Sequence, residues 1–247
     1  MNLDLNGKRA LVTGASKGIG AVTARLLAAE GCDVVIVSRS REELQMMADQ
    51  IADVTSRSVV ACPADLSRSS EVARVAEQYG DVDILVNNAG AIPGGRLEDI
   101  DEGTWRAAWD LKVFGYINLT REIFKQMSAR RSGTIVNVIG AAAQIRDPSY
   151  ICGVAGNAAL TAFTMSLGSD SHRVGVRVVG VSPGPVATQR LLGLQDSVQS
   201  SSARPFGRAA EPLEVASAVA FLASPRSGYT SGTVLMVDGG LSARAVA

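Results

Sequence analysis

A run of closely spaced glycines near the start of the chain has the residue types and spacing to hold a phosphate group. It lies at 13–20, after the apolar run at 10–12 and before a helical pattern at 22–30. Gly14 allows a tight turn with positive φ, Gly18 lets the backbone approach a pyrophosphate, and Gly20 lets the helix pack close to the strand. The N–H groups and positive dipole at the start of that helix attract phosphate. The turn therefore predicts a nucleotide-binding βαβ unit, the alternative being a helix cap that is merely rich in glycine.

The composition argues against several classes of protein. The chain has 247 residues, and its 24 basic and 24 acidic side chains give a formal net charge of zero, so nothing favours binding to nucleic acid or an anionic membrane. It has no run of about 18 apolar residues, and its first residues lack the pattern of a signal peptide. Cys32, Cys62 and Cys152 are widely spaced, and His172 is the only histidine. We therefore expect reduced thiols, no metal site and a cytoplasmic protein.

Strand and helix patterns alternate along the whole chain. Short apolar runs predict seven strands, at 10–12, 34–37, 58–61, 82–86, 133–139, 174–181 and 233–237. Patterns with helical periodicity predict six helices between them, at 22–30, 41–51, 71–79, 101–129, 150–169 and 212–222. Continuously apolar strands separated by helices predict one doubly wound parallel α/β sheet with helices on both faces, a Rossmann fold. We expect a single domain over 1–247, with a polar stretch near 189–204 as a substrate lid.

Five motifs in combination resemble the short-chain dehydrogenase/reductase (SDR) family. The glycine turn has the spacing Gly-x-x-x-Gly-x-Gly, Asp65-Leu66 follows the third strand, and Asn-Asn-Ala-Gly at 87–90 ends the fourth. Pro-Gly-Pro-Val-Ala-Thr at 183–188 follows the sixth strand, and Val-Asp-Gly-Gly at 237–240 lies near the end of the chain. The resemblance covers about residues 5–240.

This resemblance implies a nicotinamide dinucleotide site along one edge of the sheet. In the family, an aspartate at the position of Asp65 accepts a hydrogen bond from adenine; the alternative is a helix N-cap. Ala89 and Gly90 would pass beside the adenosine ribose, while Asn87 and Asn88 brace neighbouring strands. The turn at 183–188 would hold the nicotinamide amide and the diphosphate. The expected cofactor-binding residues are Gly14, Ser16, Lys17, Gly18, Ile19, Gly20, Arg39, Asp65, Leu66, Ala89, Gly90, Pro183, Gly184, Val186 and Thr188.

The residues at the end of the second strand predict which cofactor is used. NAD-selective folds place a carboxylate there for the ribose 2′-hydroxyl. This chain has Ser38 followed by Arg39, whose guanidinium can hold a 2′-phosphate, and Lys17 can add a second positive charge. These residues predict NADP(H), the alternative being that Arg39 and Arg41 are solvated charges at a helix start.

The resemblance also implies a catalytic tetrad of asparagine, serine, tyrosine and lysine, of which this chain matches one. Tyr150 matches the tyrosine, which exchanges a proton with the substrate oxygen. Val154 stands where the lysine is expected, Gly140 replaces the serine, and Lys112 replaces the asparagine. The loop at 141–149 is also about three residues shorter than the family pattern.

Other side chains can take over part of the missing chemistry. Lys112 is expected to extend into the space that Val154 and Gly140 leave, and to place a positive charge near Tyr150 or a contact on a cofactor ribose. The alternative is that Lys112 points to solvent or to an oligomer interface. Loop residues that can replace the serine as hydrogen-bond donors are Gln144, Arg146 and Ser149. Cys152 is interpreted as a small buried apolar residue.

Small residues of the predicted helix at 150–169 imply an assembly. They are Ala155, Gly156, Ala158, Ala159 and Ala162. The family uses its fourth and fifth helices as an interface, so we expect a homodimer or homotetramer.

The favoured function is NADPH-dependent reduction of a small-molecule carbonyl compound, with Tyr150 as proton donor. Tyrosine has an ordinary pKa of about 10 and is protonated at neutral pH, so it can act as an acid without a lysine beside it. The reverse reaction, oxidation of an alcohol, would need a base. The alternative is an NADP(H)-binding protein without this activity: a sensor, a partner subunit, or a lyase or isomerase on the same scaffold. The three tetrad substitutions favour that alternative.

Overall fold

The fold is organised around a seven-stranded sheet. The computed structural model describes residues 2–192 and 205–244. The strands are β1 (Arg9–Thr13), β2 (Asp33–Ser38), β3 (Val59–Pro63), β4 (Ile84–Asn87), β5 (Gly133–Val138), β6 (Val176–Pro183) and β7 (Val234–Val237). All neighbouring strands are parallel, in the order β3-β2-β1-β4-β5-β6-β7. The predicted doubly wound parallel sheet is confirmed, and its strand order reverses direction between β1 and β4, where such sheets bind ligands.

Helices connect these strands, and in the described part of the chain they are more numerous than predicted. They are α1 (Gly18–Ala29), α2 (Arg41–Thr55), α3 (Ser69–Tyr79), α4 (Glu102–Trp109), α5 (Gly115–Ala129), α6 (Ala142–Ile145), α7 (Ile151–Asp170), α8 (Gln189–Leu192), α9 (Pro212–Ala223) and α10 (Leu241–Arg244). The additional helices α6, α8 and α10 have four residues each, which is too short to produce a clear sequence period.

The long helix predicted at 101–129 has a π turn in its middle. α4 starts after Asp101, whose carboxylate caps it by accepting a hydrogen bond from the Thr104 N–H at 2.9 Å. Residues Asp110–Phe114 then form the π turn that joins α4 to α5. Such turns are frequent at functional sites, and this one contains Lys112.

Successive strand residues face two different helical layers. Val12 of β1 belongs to a buried cluster that includes Leu27 of α1 and Val219 of α9. Its neighbour Leu11 belongs to another cluster, which includes Ile123 of α5. Burial on both faces explains why the strands are apolar at nearly every position.

Helix α7 is both long and apolar. By length and composition alone, Ile151–Val174 could cross a membrane, with a mean hydropathy of 1.3. The buried core helix of a globular fold passes the same test, and α7 packs on the sheet through the fully buried Leu160 and Thr164. Gly168 lies so close to Val178 and Gly232 that no side chain would fit there. The apolar residues on the inner side of α7 are therefore explained by its place in a helical layer.

Only part of the predicted lid can be placed. Of the stretch near 189–204, the four residues Gln189–Leu192 form α8, and residues 193–204 lie outside the described part of the chain.

Candidate active site

The glycine turn after β1 has the geometry that its sequence predicts. Gly14 and Gly18 have φ angles of +65° and +60°, which disfavour any side chain. A Cβ on Gly14 would lie 2.8 Å from Ala89 Cα, and one on Gly20 would overlap the Gly14 carbonyl oxygen. Helix α1 begins at Gly18, and its N-cap residue, Lys17, makes no side-chain capping hydrogen bond. The Lys17 side chain therefore does not cap the first N–H groups of α1, which suits a phosphate site.

Two asparagines hold the ends of the central strands together, as expected. Asn88 donates from Nδ2 to the carbonyl oxygens of Thr13 at 3.0 Å and Gly14 at 3.2 Å. The Thr13 hydroxyl oxygen accepts hydrogen bonds from the backbone N–H groups of Asn88 and Ala89. Asn87 donates to Asn137 Oδ1 at 2.9 Å, which ties β4 to β5. These bonds fix the carboxyl ends of β1, β4 and β5 relative to one another.

Residues expected at the adenosine end lie around the end of β2. Ser38 ends this strand, and its buried hydroxyl oxygen has no hydrogen-bond partner among the described residues. Arg39 is exposed, and Lys17 Nζ lies 4.0 Å from Glu43 Oε1 with both side chains largely solvated. Asp65 accepts from the backbone N–H and hydroxyl of Ser67, both through Oδ1. The interpretation of Asp65 as a helix N-cap is wrong, because α3 is capped at position 68.

The turn after β6 reaches across to the glycine turn. Pro183 ends β6, and the Gly184 N–H donates to the Val237 carbonyl oxygen at 3.1 Å. Thr188 Cγ2 lies 3.5 Å from the position that a Cβ on Gly18 would take. Two segments that the sequence analysis assigned to one cofactor site are thus adjacent, although about 170 residues separate them in the chain.

Lys112 points into the protein. Its side chain is 9% exposed, and its ammonium donates to the Ile139 carbonyl oxygen at 2.6 Å. Its Cδ lies 2.9 Å from the position that a Cβ on Gly90 would take, so the lysine stem runs over Gly90. The alternative in which Lys112 points to solvent or to an interface is therefore wrong. The ammonium lies just beyond the carboxyl end of β5.

Tyr150 immediately precedes α7. It is the N-cap residue, with φ −135°, and its partly buried ring packs against a cluster that contains Ile92 and Trp109. A Cβ on Gly153 would overlap the Tyr150 ring at Cε1 and Cζ. The ring therefore occupies the space that a side chain at position 153 would fill.

Gly140 faces a residue of α7 that the sequence analysis did not select. With φ +133°, Gly140 has a backbone that favours glycine, and a Cβ there would lie 2.9 Å from Asn157 Nδ2. Asn157 is 3% exposed, and its Oδ1 is buried without a hydrogen-bond partner in the described part of the chain. Val154, which stands at the expected lysine position, is only partly buried. The one sequence signal for Asn157 was the apparent shortness of the loop at 141–149.

The loop residues considered as substitutes for the serine have other surroundings. The Ser149 hydroxyl donates to Asp147 Oδ1 at 2.6 Å, and Arg146 is exposed on a left-handed backbone with φ +59°. Gln144 lies in α6, and its buried Oε1 has no partner among the described residues. Burial raises the pKa of the Cys152 thiol, which fits its interpretation as a buried apolar residue.

His172 lies far from these residues. It follows α7 in the 3₁₀ turn Ser171–Val174 and, with Lys8 and Asp83, lines a cavity of ≈ 400 Å³ at the amino ends of β5 and β6. The described residues contain no group of three or more His, Cys, Asp or Glu side chains placed to hold a metal ion.

Taken together, the carboxyl edge of the sheet fits a nicotinamide dinucleotide. The bare backbone of the glycine turn suits a pyrophosphate between β1 and β4. Two buried polar atoms without partners in the described structure, Ser38 Oγ and Asn157 Oδ1, lie at the ends of β2 and β5, on opposite sides of that turn. A ligand hydroxyl could donate to either atom, and a ligand phosphate could accept a hydrogen bond from the Ser38 hydroxyl.

Many known proteins are similar to this chain in sequence or in fold. The family described as short chain dehydrogenase matches residues 8–197. The chain is 33% identical over 241 residues to the 3-oxoacyl-[acyl-carrier-protein] reductase FabG of Vibrio cholerae, which covers 97% of this chain and 99% of that protein. It is 38% identical over 250 residues to the cis-4-hydroxycyclohexanecarboxylate dehydrogenase of Sinomonas cyclohexanicum, with 95% and 96% covered.

Solved structures agree with these relatives. One described as a short chain dehydrogenase/reductase family protein superposes with a TM-score of 0.91 at 40% identity, over 97% of this chain and 99% of that chain. The L-sorbose reductase from Gluconobacter frateurii, complexed with NADPH and L-sorbose, superposes with a TM-score of 0.90 at 28% identity, over 98% and 99%. This chain therefore belongs to the short-chain dehydrogenase/reductase family of NAD(P)-dependent oxidoreductases.

Proposed function

We infer that this protein is an NADP(H)-dependent reductase of a small carbonyl compound, in which Tyr150 donates the proton. The observation that carries this is the position of the Tyr150 ring against Gly153, on a helix whose next turn faces Gly140. The ring thus lies next to the carboxyl end of β5, where Lys112 also places its ammonium. An acid and a positive charge next to a nicotinamide site are what carbonyl reduction requires.

The direction of the reaction follows from the proton that each direction needs. When NADPH is bound, it would supply a hydride to the carbonyl carbon, and the substrate oxygen would then need one proton. A neutral tyrosine hydroxyl supplies that proton, whereas alcohol oxidation would need the tyrosine to act as a base. The Lys112 ammonium stabilises the phenolate left on Tyr150, since opposite charges attract strongly where water is excluded.

The preference for NADP(H) over NAD(H) is supported by the residues at the end of β2. Ser38 offers a hydroxyl where a carboxylate would repel a 2′-phosphate, and the exposed guanidinium of Arg39 is free to rotate onto such a group. Lys17, on the glycine turn, adds a positive charge that its exposed ion pair with Glu43 neutralises only weakly.

The substrate is a small organic molecule, and its side of the site is partly apolar. Ile92, Trp109 and Tyr150 belong to a cluster at the start of α7 that would line it. The relatives named above act on a 3-oxoacyl group, a hydroxycyclohexanecarboxylate and L-sorbose, which differ in polarity and do not point to one substrate here. The formal net charge of zero and the three buried cysteines without disulfide bonds support a cytoplasmic enzyme.

Two measurements test this function. Calorimetric titration with NADPH and NADH gives both dissociation constants, and NADPH oxidation is then followed with a panel of ketones, aldehydes and β-ketoacyl thioesters. We expect tighter binding of NADPH and turnover of at least one class, with Tyr150→Phe binding NADPH normally but turning over slowly. Equal or tighter binding of NADH would contradict the cofactor preference.

One observation favours a second function, that of an NADP(H)-binding protein without carbonyl reduction. Gly140 provides no hydroxyl for the substrate oxygen, and the Lys112 ammonium already binds a backbone carbonyl at 2.6 Å. Tight NADPH binding with no turnover across the whole panel would select this function over the first.

A further inference from the structure

We propose, building on the cofactor proposed above, that Asn157 binds the nicotinamide-side ribose of the dinucleotide through its carboxamide. The observation is that this side chain lies over Gly140 and has a buried oxygen without a partner in the described structure. Asn157 would make this contact without carrying a charge.

The position of Asn157 along the sheet edge identifies the half of the cofactor that it meets. A dinucleotide in a doubly wound sheet lies across the carboxyl ends of the strands, with its pyrophosphate at the glycine turn. The adenosine half extends toward β2, where Ser38 and Arg39 lie. The other half must extend past β4 toward β5, because these strands lie on the other side of β1. Asn157 contacts the residue that follows β5 by two positions, so it faces this second half.

The carboxamide itself is suited to a ribose. A buried amide oxygen without a hydrogen bond is costly, and an oxygen at a ligand site is normally satisfied by the ligand. Its Nδ2 lies 2.9 Å from the space that a side chain on Gly140 would fill, and glycine leaves that space to the ligand. A ribose has neighbouring hydroxyl groups that both donate and accept, which matches an amide with one oxygen and one N–H₂ group.

The contact between Asn157 and Gly140 changes which residues of α7 correspond to the tyrosine and lysine positions of the family. Residues four apart lie on one helix face, so Gly153 and Asn157 share the face that meets Gly140. If Gly153 and not Tyr150 stands at the tyrosine position of the family, the segment between Gly140 and that position is three residues longer. These are the three residues by which the loop at 141–149 appeared to be short. Gly153 and Asn157 therefore stand at the tyrosine and lysine positions, and Tyr150 brings its ring over Gly153 from three residues earlier.

Charge and hydrogen bonding are then divided between two residues. The positive charge comes from Lys112, whose ammonium binds the Ile139 carbonyl oxygen next to Gly140. The ribose contact comes from Asn157, which lies against Gly140 in the same segment. This explains how a chain without a lysine on α7 keeps a complete cofactor site.

The test compares binding of the whole cofactor with binding of its adenosine half. Calorimetry measures the dissociation constants of NADPH and of adenosine 2′,5′-bisphosphate for the wild type, Asn157→Leu, Asn157→Ala and the control Val154→Ala. We expect both Asn157 variants to bind NADPH about five- to tenfold more weakly, the effect of one lost hydrogen bond. Binding of the bisphosphate, which lacks the nicotinamide ribose, should not change, and Val154→Ala should alter neither constant.

Thermal unfolding without ligand separates a binding role from a structural one. Leucine has the branched shape and the number of side-chain heavy atoms of asparagine but no polar group to satisfy, so Asn157→Leu should unfold at the same temperature as the wild type or higher. If the leucine variant does not fold, Asn157→Ala decides the question. Unchanged NADPH binding in the folded variant would overturn the role of Asn157, as would equal weakening of NADPH and the bisphosphate.

Failure of the cofactor preference gives a different pattern. If the wild type binds NADH better than NADPH, the NADP(H) preference is wrong. NADH then replaces NADPH in the same comparison, with adenosine diphosphate as the half-cofactor, because the nicotinamide ribose is common to both cofactors.

Discussion

At the scale of single residues, a buried lysine distinguishes this site. Lys112 is one of four lysines in the chain, and its ammonium lies at the end of β5 with its stem on Gly90. Moving a cation out of water costs free energy, because the charge loses its hydration. A lysine at this place is therefore expected to be exposed unless its buried charge has a role. The role proposed for Lys112 beside Tyr150 and the cofactor would supply that use.

Lys112→Met should lower turnover by at least about tenfold, a rise in the barrier of roughly 1.4 kcal/mol, because the charge that stabilises the phenolate is lost. The measurement is kcat for NADPH oxidation, with circular dichroism to check the fold. Lys125→Met is the control, since Lys125 is 63% exposed and pairs with Glu122 on α5. Unchanged kcat in a folded Lys112→Met would remove Lys112 from the mechanism.

Cofactor preference is also decided by a single side chain. Arg39→Ala should raise the dissociation constant of NADPH at least about tenfold, because charged hydrogen bonds to a phosphate are strong, and leave that of NADH nearly unchanged. Arg41→Ala is the control, being an exposed arginine two residues further on. If both variants lower NADPH affinity equally, the effect is one of general charge and not of a specific contact.

At the scale of elements, the start of α7 places Tyr150. Because a methyl group at position 153 would overlap its ring, Gly153→Ala should displace the ring and lower turnover at least as far as Tyr150→Phe does. The helix itself should persist, since alanine favours a helix over glycine by about 1 kcal/mol. Gly156→Ala is the control, as its new methyl would meet Val113 Cγ2 at 3.3 Å, a contact that small shifts can relieve. Normal kcat in Gly153→Ala would show that the ring position does not matter.

The start of α9 carries a pH-dependent contribution to stability. A hydrogen bond from Arg208 lowers the pKa of Glu214 from its ordinary 4.5 to about 2, with help from the Glu211 N–H. A carboxyl group whose pKa is lower in the folded protein than in the unfolded chain stabilises the fold at pH values above the unfolded pKa. That contribution disappears as pH falls from about 4.5 toward about 2. The unfolding midpoint of Glu214→Gln should therefore lie below that of the wild type at pH 7 and approach it at about pH 3. A midpoint difference that does not vary with pH would contradict this account.

At the scale of the whole molecule, the outer face of α7 is left apolar. Ala158 and Ala162 are exposed, and Met165 is 48% exposed. Gly156, which was counted among the residues of an interface, instead faces Val113 and Trp109 inside the protein. The small residues that remain outside still allow another helix to approach closely.

We expect a homodimer or homotetramer at micromolar concentration, and Ala162→Glu should shift it toward the monomer by placing a charge in the interface. Light scattering measures the mass of each variant. Met46→Glu, at a 58% exposed apolar position on α2, is the control and should not change the mass. A wild type that is monomeric would show that α7 is not an interface.

Much of this architecture could be predicted from local sequence patterns. Apolar runs of strand length separated by helical periods are properties of neighbouring residues, and they were enough for the seven parallel strands. The glycine spacing was enough for the turn after β1, because positive φ and close backbone approach restrict those positions to glycine. Even the bracing role of Asn87 and Asn88 could be inferred, since they end a strand at the edge where ligands bind.

Only the tertiary structure decided how α7 meets the end of β5. That contact depends on how the loop at 141–149 folds, with its short helix α6 and the left-handed backbone at Arg146, and neither feature has a sequence period. Three residues correspond to almost one full turn of an α-helix. A shift of three residues in the alignment of α7 therefore changes which side chains are expected at the site. The sequence therefore placed Tyr150 and Val154 at the site, whereas packing brings Asn157 against Gly140 and the Tyr150 ring over Gly153. The inward direction of Lys112 was likewise decided by a non-local contact, the carbonyl oxygen of Ile139 twenty-seven residues away.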